Sequence, residues 1–365
     1  MIYAQWLHSI ESVSDAACRR MLRADLCAED VYRMDETQLL LTGCFGPGQI
    51  ADIIACHDRD PQAQWDALER DGIRFCTLEE GKYPKKLRKI KDAPYGLYLI
   101  GDLPDPARYT VAVVGARECT PYGAAVSKKI GRQLAESGVT VVSGMARGVD
   151  GCAHRGALET DGKTIAVLGC GIDQAYPPGN KDLYHAIPPH GGILSEYPPG
   201  VPALPTNFPL RNRIISGLSD CVIVVEARRR SGSLITAELA MQQGKDVYAV
   251  PGPVDSALSL GCHHLIHQGA GIFCSTAEFL KDKSLEAAVS AKSAPVRRLE
   301  MSERIVYSAI VLFPKSIEEI QKETGFESRT LLQILLDLQL KGLITEIGKG
   351  RYIRLNAEDP DENEE

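Results

Sequence analysis

No Cys-x-x-Cys pair occurs in the chain, although it carries 11 cysteines in 365 residues. An odd number of scattered thiols without ligand spacing argues against both a zinc site and a disulfide framework. They read instead as buried small hydrophobes in a reducing cytosol. The first stretch, "MIYAQWLHSIESVSD", lacks a basic start and a sustained apolar run, so neither a signal peptide nor a membrane span is expected. A P-loop, an HExxH pair and a Gly-x-Ser-x-Gly elbow are missing too. So is a basic surplus, since the formal net charge is −7. Six of the acidic residues, however, lie in the last eight, "EDPDENEE". Without them the chain is near neutral, and net charge decides nothing about partners.

What is present divides into blocks. The hydrophobic fraction of 44% and charged fraction of 24% are ordinary for a globular protein, and the length suggests two or three domains. Residues 1–70 read as short helices with apolar spacing of three and four, several opening on Asp or Ser. The "GCFGPGQIA" turn there resembles a helix-hairpin-helix element, with a simple helical turn as the alternative. Residues 71–285 alternate β-branched apolar runs with helical segments. The runs are "TVAVVG", "VTVVSG", "KTIAVLG", "GGILSE", "CVIVVEA" and "DVYAV". Such runs suit strands buried on both faces, and the order predicts an α/β fold, an extended Rossmann-like doubly wound parallel sheet. Residues 286–298 read as a linker. Residues 299–356 show three helices and two short strands, the order of a winged helix, with 8 basic against 8 acidic residues from Glu300 to Leu355. That neutrality favours an accessory or protein-contacting module over a grip on duplex DNA. Residues 357–365 read as a disordered acidic tail.

Candidate chemistry sits in the loops after the strands, where ligands bind in such sheets. "VAVVGARECTPYG" begins like a dinucleotide loop at Gly115, but Arg117 stands where further glycines are expected, followed by Thr120 and Tyr122. "SGMARGVDGCAH", with Ser143, Gly144 and Gly148, leads into a helix N-terminus, an anion-binding arrangement. Further loops add Tyr176, Asn180 and Lys181, then Arg211, Asn212 and Arg213, then Ser231, Gly232, Ser233 and Thr236. A salt bridge between adjacent loops is the alternative for Arg117 or Arg211 taken singly. Together the loops describe a groove of separated phosphate sites, better suited to a strand of nucleic acid than to one mononucleotide.

The strings "VVGARECTPYG", "SGMARGVDGCAHRGAL", "GKTIAVLGCGIDQAYPPGNKDLY", "GGILSEYPPG", "FPLRNRIISGLSD", "EARRRSGSLITAELA" and "VYAVPGPVDS" together resemble the DNA-processing protein A (DprA, Smf) family. The resemblance is strong over about residues 75–275. It implies a cytoplasmic protein without catalytic activity that binds and protects single-stranded DNA and loads the RecA recombinase during natural transformation and recombination. It implies no cofactor, and a homodimer with a contact around Leu265 and Ile266. Carried onto this chain, its DNA contacts would be Arg117, Lys181, Arg211, Arg213 and the Ser231–Ser233 turn. Where the family tends to read "GCNRLIREGA" this chain has "GCHHLIHQGA", placing His263, His264 and His267 at a metal-permitting spacing or, more simply, on an interface helix. The rival function is a nucleotide-binding enzyme of the phosphoribohydrolase type, faintly echoed by Thr236 and Glu238. The tight glycine loop of that class is missing.

Overall fold

The structure, a computed structural model, describes residues 1–103, 105–285, 299–310, 314–347 and 350–354. The linker expected at 286–298 and the tail expected at 357–365 lie outside the described residues. The chain forms two compact units, one of residues 1–119 and 127–289, the other of residues 120–126 and 290–365.

The first unit is built on a nine-stranded sheet among the described residues. Its strands are β1 (Arg74–Thr77), β2 (Gly96–Gly101), β3 (Thr110–Val114), β4 (Thr140–Ser143), β5 (Thr164–Val167), β6 (Gly191–Ser195), β7 (Cys221–Val224), β8 (Asp246–Ala249) and β9 (Gly271–Ile272). Their order is β1-β2-β6-β5-β4-β3-β7-β8-β9. Strands β6 to β9 of that order run parallel, while β1 and β2 add antiparallel pairs at one edge. All six apolar runs singled out in the sequence are strands. Those of β3 to β7 are buried at every position, as strands covered by helices on both faces must be. The chain turns from one half of the sheet to the other around β3, which lies between β4 and β7. Loops after β3, β4 and β7 therefore share the crevice where a doubly wound sheet takes ligands.

Ahead of β1 lie short helices with the caps that their sequence dictates. Ser14 accepts from Ala17 N, Asp35 makes a capping box with Gln38, and Asp60 accepts from Gln62 N. They close around an apolar cluster containing Trp6, Met21, Leu39 and Ile53. In the second unit, the helices Met301–Ala309, Ile317–Thr324 and Ser328–Leu340 pack over a cluster that includes Tyr307, Leu331 and Leu338. A small antiparallel sheet completes it, with β10 (Lys315–Ser316), β12 (Arg351–Arg354) and β11 (Ile344–Glu346) in that order. Among the described residues no helix is long and apolar enough to cross a membrane.

Candidate functional site

A cleft of about 500 Å³ opens at the carboxyl ends of β3, β4 and β7, with a smaller hollow of about 30 Å³ beside it. Strand β3 delivers Gly115 and Arg117 to it, the turn after β4 delivers Arg147, and the turn after β7 delivers Arg228 and Arg230. These four arginines are exposed, and among the described residues none is paired with a carboxylate. One acidic side chain, Glu118, shares the rim. An aromatic pair stands between the cations. Tyr176 and Phe208 stack with centroids 5.6 Å apart, and the Arg117 guanidinium lies 5.0 Å from the Phe208 ring centre. A flat ring with a cation on its face holds that cation in place and leaves its outer N–H groups available.

The floor is differently made. Arg211 is only 3% exposed and sits 5.9 Å from the centre of the same Phe208 ring. Its Nη1 donates to Gly144 O at 2.8 Å and to Val167 O. Its buried Nε has no hydrogen-bond partner. Burial lowers its pKa to about 10, opposed by the nearby Asp150. Asp150 in turn accepts from Gly144 N at 3.2 Å. Burial pushes its carboxyl up, while Arg211 and the amides of Gly144 and Ala146 pull it down. The guanidinium leaves no space above Gly144, where a Cβ would lie 2.4 Å from Nη1. Gly148 is forced by the same close packing, since at φ 76° a Cβ would meet Ala116 O at 2.3 Å.

The remaining sequence-selected residues divide clearly. Asn212, Ser231, Gly232, Ser233 and Thr236 line the cleft. There the Ser231 hydroxyl caps the helix Gly232–Gln242, and Asn212 Nδ2 donates to Gly232 O at 3.2 Å. Ser143 is fully buried and donates to Val113 O, so it secures the sheet. Asn180 is buried and donates to Met145 O at 2.9 Å and Ala146 O at 3.0 Å, holding the Arg147 turn from behind. Lys181 is exposed at the start of the helix Lys181–Ala186, outside the cleft lining. Tyr122 lies in the first turn of the helix Pro121–Glu136 and is not among the described cleft-lining residues.

Arg213 departs most from expectation. It is 8% exposed and its guanidinium is saturated: Nη1 and Nη2 bond Glu196 at 2.8 and 2.6 Å, Nη2 bonds Asp15 at 3.1 Å, and Nε donates to Asp92 O at 2.9 Å. It cannot offer a donor to a ligand without releasing a carboxylate. Leu265 is likewise a core residue at 2% exposure, and Ile266 packs against the same core. A side chain consumed by the monomer's own core cannot form a contact with a second copy, so Leu260 and Ile272 are the exposed apolar groups on that face. His263 Nε2 is bonded to Gly252 O at 2.9 Å, and among the described residues no group of three or more His, Cys, Asp or Glu could hold a metal. Arg147, Arg228 and Arg230 were not selected from the sequence. They stand in short loops after strands, the same signal that marked Arg117.

A doubly wound sheet with a cation-rimmed, aromatic cleft at its crossover defines a Rossmann-like protein fitted for anionic ligands. The chain belongs to the DNA recombination-mediator protein A family, whose model matches residues 74–284. It is 44% identical to DNA processing protein DprA of Streptococcus pneumoniae over 64% of this chain and 86% of the relative. To Protein Smf of Escherichia coli it is 38% identical, over 79% of each chain. The X-ray structure of the Streptococcus pneumoniae protein aligns at a TM-score of 0.66 and 36% identity, covering 77% of this chain and 98% of that one. A structure of DNA processing protein A from Helicobacter pylori aligns at 0.52 and 33% identity, covering 58% and 97%.

Proposed function

We propose that the cleft binds single-stranded DNA without regard to sequence, and that the chain protects such DNA and passes it to the RecA recombinase. The observation that carries this reading is the set of four exposed guanidiniums, Arg117, Arg147, Arg228 and Arg230, around the Tyr176–Phe208 pair. Separated cations suit successive phosphates of an open strand, and aromatic faces accept any base. The helix N-terminus at Ser231–Ser233 adds amide donors, and buried Arg211 adds positive potential from below. The solved Helicobacter pylori relative concerns a single-stranded DNA binding mode, which supports the same ligand here. Arg213, Ser143 and Asn180 are assigned to the scaffold, and Lys181 to a peripheral contact.

The chain acts by binding and not by turnover, in the cytoplasm where RecA and its DNA are found. The phosphoribohydrolase reading gains nothing from the geometry: Thr236 is buried, and Glu238 is exposed outside the cleft lining. Residues 1–70 form the helical module, 71–285 the Rossmann core and 299–356 a winged-helix module that contacts protein, in keeping with its balanced charge. A homodimer would join at the β9 edge through Leu260 and Ile272.

Anisotropy of labelled oligo-dT and of a matched duplex across a salt series tests the reading. The single strand should be preferred, with log K falling against log salt at a slope of about −3 for four phosphate contacts. A flat salt response, or strong preference for one sequence at equal length, would overturn it.

A further inference from the structure

The loop that carries Arg117 ends in a cysteine, and the helix beside it carries another. Cys119 closes the turn after β3, and Cys152 lies near the start of the helix Val149–Leu158. The two segments are held together by Val149 N donating to Ala116 O at 3.2 Å and by the tight fit of Gly148 against Ala116 and Arg117. The Cys119 thiol donates to Cys152, and the Ser127 hydroxyl donates to the same sulfur. Both cysteines are half-exposed, whereas seven of the others are buried.

Their surroundings make the two sulfurs unequal. The bond from Cys119, working against burial and helped by Arg155, Ser127 and Lys128, lowers the Cys152 thiol to about 6. Cys119 is shifted the opposite way, by its bond to Cys152, by burial and by the nearby Glu226. Cys152 is therefore a thiolate at neutral pH, and its neighbour keeps the proton. A thiolate stabilised by cations with a second thiol in contact is the arrangement that reacts with peroxides and then resolves.

We propose that Cys119 and Cys152 form a peroxide-reactive dithiol, with Cys152 as nucleophile and Cys119 as resolving thiol. The Cys152 thiolate attacks hydrogen peroxide, forming an S–O bond as the O–O bond breaks; sulfenic acid and hydroxide result. The Cys119 sulfur then attacks the Cys152 sulfur, and the departing hydroxyl leaves as water with the Cys119 proton. One disulfide forms, two sulfurs are oxidised and the two peroxide oxygens are reduced. Sulfurs already within hydrogen-bonding reach need only a side-chain rotation to reach covalent distance. The closed pair would tie the Arg117 loop to the helix that follows the Arg147 turn.

The test uses the full chain at neutral pH, treated with graded hydrogen peroxide, alkylated and mapped by peptide mass. Expected is a linked Cys119–Cys152 peptide pair lacking two hydrogens and restored by dithiothreitol. It should form at a dose about tenfold below that which modifies the exposed Cys27 or Cys274. In Cys119→Ser, dimedone should label Cys152; in Cys152→Ser, Cys119 should stay reduced at the same dose. If both thiols of the unmutated chain remain alkylatable while Cys27 and Cys274 are already oxidised, the dithiol does not exist. Oxidation of Cys119 in Cys152→Ser at the original dose would overturn the assigned roles.

Discussion

The rim and the floor of the cleft are both built with arginine, and the two levels use it in opposite ways. On the rim, Arg117, Arg147, Arg228 and Arg230 face solvent without a carboxylate partner among the described residues. On the helix beneath, Arg211 is spent on the carbonyls of Gly144 and Val167, and Arg213 on Glu196, Asp15 and Asp92. A guanidinium in water loses little when it meets a phosphate, whereas a buried one already holds the protein together and leaves behind uncompensated charge if it moves. Ligand binding and stability are therefore assigned to different arginines a few residues and a few ångströms apart.

The sharpest way to break this division is Arg213→Ala. Removing the centre of a mostly buried ion cluster should cost about 3–5 kcal/mol in urea denaturation. A loss below about 1 kcal/mol would make Arg213 dispensable to the floor. The next test is acid. His154 is fully buried, bonded to Thr164 at 2.7 Å, and burial with Arg155 and Arg211 lowers its pKa from 6.5 to about 3. The unfolded chain binds a proton there that the folded chain refuses, so stability is whole above pH 6.5 and falls as pH drops from there towards 3. The slope is up to about 1.4 kcal/mol per pH unit from this group. His154→Gln should flatten the urea midpoint against pH; His8, lowered to about 4 by burial, keeps a residual slope. An unaltered profile would remove His154 from the account.

On the rim the readout reverses. Arg117→Ala should weaken oligo-dT binding by about 1.5–3 kcal/mol and leave the melting temperature in place. Unchanged affinity would take Arg117 out of the site, and marked instability would return it to the scaffold. Smallest is Lys181→Ala, which outside the cleft should alter affinity by less than about 0.5 kcal/mol in the same titration. A loss matching that of Arg117→Ala would extend the interface well beyond the cleft.

The parallel strands were legible because burial on both faces leaves a continuous β-branched run, as in "TVAVV" and "CVIVV". The antiparallel edge was not. Strand β1, "RFCT", is too short and mixed to carry a period, and it exists through its pairing with β2. Within the site, Arg117 was legible from its place after a buried strand. Arg211 and Arg213 follow the same local pattern, yet their fate depends on partners such as Asp15, far away in the chain. Arg147 and Arg228 carried a readable signal, a cation in a short loop after a strand, that was not weighed. Leu265 shows the limit of patch reading, because a helix of alternating His and Leu does not declare which side faces the core.

Arg213 and Asp15 are 198 positions apart. During synthesis the carboxylate therefore leaves the ribosome long before its guanidinium exists, by about 10–40 s at ordinary elongation rates. Throughout that interval the amino-terminal helices must rely on their own cluster around Trp6 and Ile53, and cannot dock finally against the sheet. The first segment made is thus among the last to be fastened, and the ion cluster works as a late seal on vectorial folding.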